Sequence, residues 1–280
     1  MQLDTTRIAI RERDLLDVLD LSLQVIRAYA VPWLVTSVVG AAPFAVLNWW
    51  LLRSVWPHRG PVEWSVYLSL MAILIAWELP LASAALTRYI GQAVFVDRPS
   101  ARQIVRDVVD SLPQLFVFQA LIRGLFFLPA IWLGEVWWLM SFVLWIPFVA
   151  YPHLNEVILL ERNPLARSRG RITTWQRSQT LHEGSRGSQF GRWLMTLLLS
   201  GLMTASLSQL IWFLRGLLTN HWDYDDAFWL YGLPAAMWIV ASFFAVARYL
   251  SYLDLRIRRE GWEVELQIRA EGDRLTRQIG

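Results

Sequence analysis

The side chains best suited to chemistry fall at two places in the chain. His153, Asn155 and Glu156 lie together in YPHLNEVILLERNP, and Arg248 lies in AVARYLSYLDL. An imidazole, an amide, a carboxylate and a guanidinium brought into one cluster could pass a proton or hold a polar substrate. A second pair stands in still more apolar surroundings: Glu78 in IAWELPLASAALTRYI and Arg123 in QALIRGLFF. A charge in such a run is severely penalised without a partner, whereas a hydrogen-bonded ion pair is tolerated. Counting at about 1.5 Å per helical residue puts Glu78 and Arg123 at one depth, roughly 15–18 Å from the ends of their runs. A Glu78–Arg123 pair between antiparallel helices follows. By the same count Glu156 and Arg248 share a shallower depth, about six residues from their ends, with His153 and Asn155 beside them. Two readings stand for these charges: a proton or substrate path, or pairs that fix helix register. Register fixing is the simpler. The His153/Asn155/Glu156/Arg248 group is the better functional candidate of the two.

Other motifs carry less. His58-Arg59-Gly60 matches a triplet of phosphodiester-hydrolysing barrels, but the four His of the chain and a short loop leave no room for that barrel. HEGSRGSQFG has glycines without the Lys or the spacing of a phosphate loop, and reads as a hinge. Asp223, Asp225 and Asp226 gather in NHWDYDDAF; such loops are usually solvated and only weakly suggest a cation site. No nucleophile–base or metal-ligand set emerges, so no enzymatic activity, metal or cofactor is expected. With no cysteine, disulfides and thiolate chemistry are excluded.

The elements that must position these residues are membrane helices. Of 280 residues, 55% are hydrophobic and 17 are Trp, and mean hydropathy is +0.36, above the usual range for a soluble domain. A bilayer core of about 30 Å needs roughly 20 apolar helical residues. Six segments qualify: 31–52, 66–87, 112–133, 136–160, 193–218 and 227–253, the fourth interrupted by Pro147 and Pro152. The expected fold is all-α, with a six-helix transmembrane domain over 1–253 and a cytoplasmic tail over 254–280. The first apolar run follows the small-residue triplet at 28–30 instead of preceding it, so no cleaved signal is expected.

Every basic residue is Arg. Segments 1–30, 88–111, 161–192 and 254–280 hold four, four, seven and six of them, whereas the opposite loops hold only Arg53 and Arg59. This asymmetry sets both termini in the cytoplasm. Ten Trp, among them Trp49, Trp50, Trp212 and Trp222, gather at the other ends of the spans as an interfacial belt. Arg162, Arg167, Arg169, Arg171 and Arg177 are expected against anionic headgroups, each worth about 1 kcal/mol. Nucleic acid is the rival partner for this loop and fails on context, since no nucleic-acid fold is present.

Three stretches before spans are amphipathic: residues 13–30 with Leu15, Val18, Leu19 and Ile26; 99–112 with Ile104, Val105, Val108 and Val109; and 163–181 with Leu165, Ile172 and Trp175. Such helices lie in the headgroup plane with the apolar face down. A three-fold repeat of interfacial helix plus hairpin, over 7–90, 99–160 and 164–253, is one reading. Juxtamembrane extensions without repeat are the other.

PLASAALTRYIGQAVFVDRPS, EVILLERNPLARSRGRITTW and RYLSYLDLRIRREGWEVEL together resemble bacterial proteins grouped with the membrane domain of glycerophosphoryl diester phosphodiesterases. The resemblance implies the same six-helix region, here standing alone without the catalytic barrel, and carries over no catalytic residue. The leading expectation is an inner-membrane scaffold or lipid-interacting protein with a protein partner on its Arg-rich face. The alternative is a small transporter or lipid-handling protein using the His153 cluster.

Overall fold

The computed structural model describes residues 14–53, 61–94, 96, 99–122, 124, 152–165, 172–182 and 186–279, with backbone alone at 61–65, 186–189 and 259–279. Among them the chain is all-helical, with no strand. The helices are α1 (Leu15–Ala28), α2 (Ala30–Leu52), α3 (Pro61–Ala82), α4 (Ala84–Ala93), α5 (Ala101–Leu115), the short α6 (Leu154–Glu156), α7 (Thr174–His182), α8 (Arg186–Thr219) and α9 (Leu233–Ile279). Three π-helical stretches extend them: Phe116–Ile122 continues α5, Val157–Glu161 continues α6, and Phe228–Gly232 leads into α9.

Among the described residues, three stretches are long and apolar enough to cross a membrane: Ala30–Leu52, Phe190–Thr219 and Phe228–Arg258. A fourth is formed if Val66–Ala82 and Ala84–Ala93, bent by 43°, count as one. The bend has a local cause. Pro80 has no N–H to give Ala76 and crowds its carbonyl, and Ser83 one turn later sits at φ −85°, ψ 0°, at the edge of the helical region. The expected spans 112–133 and 136–160 fall largely on residues outside the described set.

Burial separates the helices. The apolar window of α9 is 61% buried, that of α8 only 6%, and that of α2 not at all. α9 is therefore the central post. Val240, Phe243, Phe244 and Val246 pack with Val18 of α1 and Leu86 and Ile90 of α4. Leu233 and Trp238 pack with Leu52 of α2 and with Tyr67, Met71 and Ile75 of α3. α2 meets the α3–α4 corner backbone to backbone: a Cβ on Gly40 would sit 1.9 Å from the Ala82 carbonyl oxygen. Only glycine permits that approach.

Of the three amphipathic stretches, α1 buries Val18 and packs Leu19 and Ile26 on the core as expected, while the helices of the other two have an unexpected rotation. On α5, Ile104, Asp107, Ser111 and Leu115 face the protein, while Val105, Val109, Leu112 and Phe116 are exposed. On α7, Thr174, Ser178, Leu181 and His182 are buried, and Trp175 is exposed, as are Leu165 and Ile172 before it. Polar stripes thus turn inward and much of the apolar surface turns outward. That inverts the arrangement of a helix on a water-soluble core.

Candidate functional site: a buried polar cluster

Glu156 is completely buried at the point where α6 passes into its π-helical continuation. Arg248 of α9 donates through Nε to Glu156 Oε1 at 2.6 Å and through Nη2 to Ser83 Oγ at the α3–α4 bend at 3.3 Å. One guanidinium so joins three parts of the chain, and depth counting from sequence brings its two principal members together. His153 and Asn155 are buried beside them. The His153 ring stacks on His182 of α7, with centroids 5.6 Å apart and planes 14° from parallel, and lies 6.1 Å from the Tyr252 ring.

His182 was missed by sequence reasoning, which placed it in a hinge. Its signal was the four-residue recurrence Thr174, Ser178, His182, a small polar stripe whose members are all fully buried or nearly so. His182 Nδ1 lies 2.6 Å from the Ser178 carbonyl oxygen. A carbonyl only accepts, so Nδ1 must carry the proton and Nε2 points away from that bond. Among the described residues no group answers His153 Nδ1, either side-chain polar atom of Asn155, or Glu156 Oε2. Buried polar atoms are normally satisfied, so such a concentration sets this cluster apart from the rest of the described interior.

Two further carboxylates brace this region. Glu161 accepts from Arg177 Nε at 2.6 Å and Nη2 at 3.2 Å, from the Tyr252 hydroxyl at 2.8 Å and from Asn163 Nδ2 at 3.2 Å. Burial alone would raise its pKa, but the Arg177 and Tyr252 bonds outweigh that and hold it below the usual carboxylate range. Asp107 on the inward face of α5 accepts from Arg88 Nε at 3.0 Å and again from Arg88 Nη2, and it also pairs with Arg162. Burial raises this pKa too, and the two guanidiniums more than offset it. Arg88 Nη1 also donates to the Leu159 carbonyl at 2.9 Å, tying α4 to the same turn. Arg162 reaches Asp107 from a left-handed backbone, φ 53°, that ends the π-helical stretch.

Arg162 and Arg177, expected against lipid phosphates, each pair with a carboxylate of the protein, Asp107 and Glu161 respectively. Arg167, Arg169 and Arg171 lie outside the described residues. So does Arg123, and with it the expected pair to Glu78. What the structure gives Glu78 is an amide: Asn48 Nδ2 of α2 donates to Glu78 Oε2 at 2.7 Å, both residues being buried. The packing that sets Gly40 on Ala82 runs on, antiparallel, to bring Asn48 to Glu78. Of the three acids in NHWDYDDAF, Asp225 pairs with Arg215 and accepts the Phe228 N–H at 3.0 Å. Among the described residues no group of three or more potential ligands could hold a metal. The triplet at His58 lies outside the described residues.

Comparison with family models, with curated proteins and with solved structures finds no match.

Proposed function

We propose that the chain is an integral protein of the bacterial inner membrane, without catalytic activity of its own, that serves as a scaffold or lipid-interacting component for a partner. It crosses the membrane six times with both termini in the cytoplasm, a reading supported by the Arg asymmetry and by the resemblance of its signature stretches to a six-helix membrane domain. The observation that carries this proposal is the uncovered apolar surface. α2 and α8, whose apolar windows are 0% and 6% buried, present Val31, Leu34, Val38, Val39, Leu198 and Leu202 to the outside. An apolar face of that extent needs lipid or protein against it. The inward polar stripes and outward apolar residues of α5 and α7 support the same setting.

A second proposal, a small transporter or lipid-handling protein, is favoured by the unanswered polar atoms around Glu156. Extraction of the tagged protein into native-lipid particles, followed by mass spectrometry, separates the two. A stoichiometric second protein supports the scaffold. A lone chain that retains a defined lipid or small molecule, lost in Glu156→Gln at unchanged yield, supports transport. A lone chain retaining nothing but bulk lipid contradicts both.

A further inference from the structure

Residues 101–122 form one uninterrupted helical run, and its exposed stripe does not stop where the expected interfacial helix ends. Val105, Val109, Leu112 and Phe116 are followed by Leu121 and Ile122, all exposed. At about 100° per residue, the first four share one narrow face. Arg102 and Arg106 lie along one flank of that face, both exposed and without an ion pair among the described residues, and Asp110 lies further round on the same side. The opposite face is clamped to the protein through Asp107 and its bonds to Arg88 and Arg162.

Resting on the membrane setting proposed above, we infer that α5 does not lie flat among the headgroups but descends into the cytoplasmic leaflet as the entry to the third span. Val105, Val109, Leu112 and Phe116 contact acyl chains at increasing depth, and Arg102 and Arg106 bind the phosphates of anionic lipids at the top. The occupant is lipid because the face is continuous with the apolar run 116–122, and two cations without an ion pair among the described residues border it at the end nearest the cytoplasm. A flat helix would hold the four apolar residues at one level. In a steeply descending helix their depths differ by up to about 1.5 Å for each residue of separation.

The cysteine-free chain allows single spin labels at V105C, V109C, L112C and F116C in liposomes of phosphatidylethanolamine and phosphatidylglycerol. V39C on α2 serves as the lipid reference and D223C, in the exposed turn before α9, as the aqueous one. Collision with oxygen against a water-soluble nickel chelate should place the four labels in lipid, progressively deeper from 105 to 116. Equal depths overturn the descent. Nickel access at 109 and 112 equal to that at D223C overturns the lipid contact. Low collision with both reagents means a protein covers the face, which also overturns it. If V39C itself is reached by nickel, the membrane setting fails and not merely this inference. For the arginines, preference for spin-labelled phosphatidylglycerol over phosphatidylcholine should fall up to about fivefold per residue in R102Q and R106Q. An unchanged preference removes them as the headgroup site.

Discussion

At the scale of single residues, the Glu156–Arg248 bond sets the sharpest energetic expectation. Taking one partner from a buried pair leaves a charge unanswered and costs on the order of 3–5 kcal/mol, whereas replacing both with neutral groups costs less. Glu156→Gln and Arg248→Gln should each lower the unfolding temperature in detergent more than the double variant does. A double variant as unstable as the sum of the singles would mean the two do not act as a pair. Asn48→Leu should likewise destabilise while Glu78 is present, and Glu78→Leu should recover part of the loss, both measured by the same unfolding assay. A common depth within helices of known pitch made the Glu156–Arg248 pairing legible before the structure. The Asn48 bond to Glu78 was not legible in that way, because an amide answers a carboxylate without contributing a charge to count.

At the scale of elements, close packing and charge clamps yield separate tests. A methyl on Gly40 would collide with the Ala82 backbone, while a Cβ on Gly201 of α8 meets nothing within 4 Å. Gly40→Ala should therefore cost on the order of 1–3 kcal/mol, and Gly201→Ala should be neutral or slightly stabilising. Equal effects on thermal stability would contradict the placement of α2 against the α3–α4 corner. The clamp on α5 is pH-dependent. Because folding depresses the Asp107 pKa below its ordinary 3.8, the protein gains stability from this group at pH values above that figure. The gain is lost as pH falls through the lower, folded value. Acidification below about pH 4 should loosen α5 in hydrogen exchange, and Asp107→Asn should give that looser state already at neutral pH. Helix existence could be read from hydropathy at α2, α8 and α9, but helix rotation could not. Val105 and Val109 were grouped with Ile104 on one apolar side, yet in a membrane protein the outside is as apolar as the core. The buried side is then betrayed only by its polar residues, Asp107 and Ser111 on α5 and Thr174, Ser178 and His182 on α7.

At the scale of the whole molecule, α9 is the post around which the others assemble, and α2 and α8 flank it with their apolar surfaces uncovered. Those surfaces suit a bilayer, and in the function proposed above the arginines decide which way the molecule sits there. Both premises meet in the placement of two segments joined to α8 and α9: the turn containing Asp223 on the outer side, and the end of α9 containing Gln278 in the cytoplasm. The most direct measurement is labelling of single-cysteine variants D223C and Q278C in intact spheroplasts with a membrane-impermeant maleimide. The account predicts that D223C is labelled at once and Q278C only after the membrane is opened. Labelling of both in intact cells, or of Q278C alone, would contradict it.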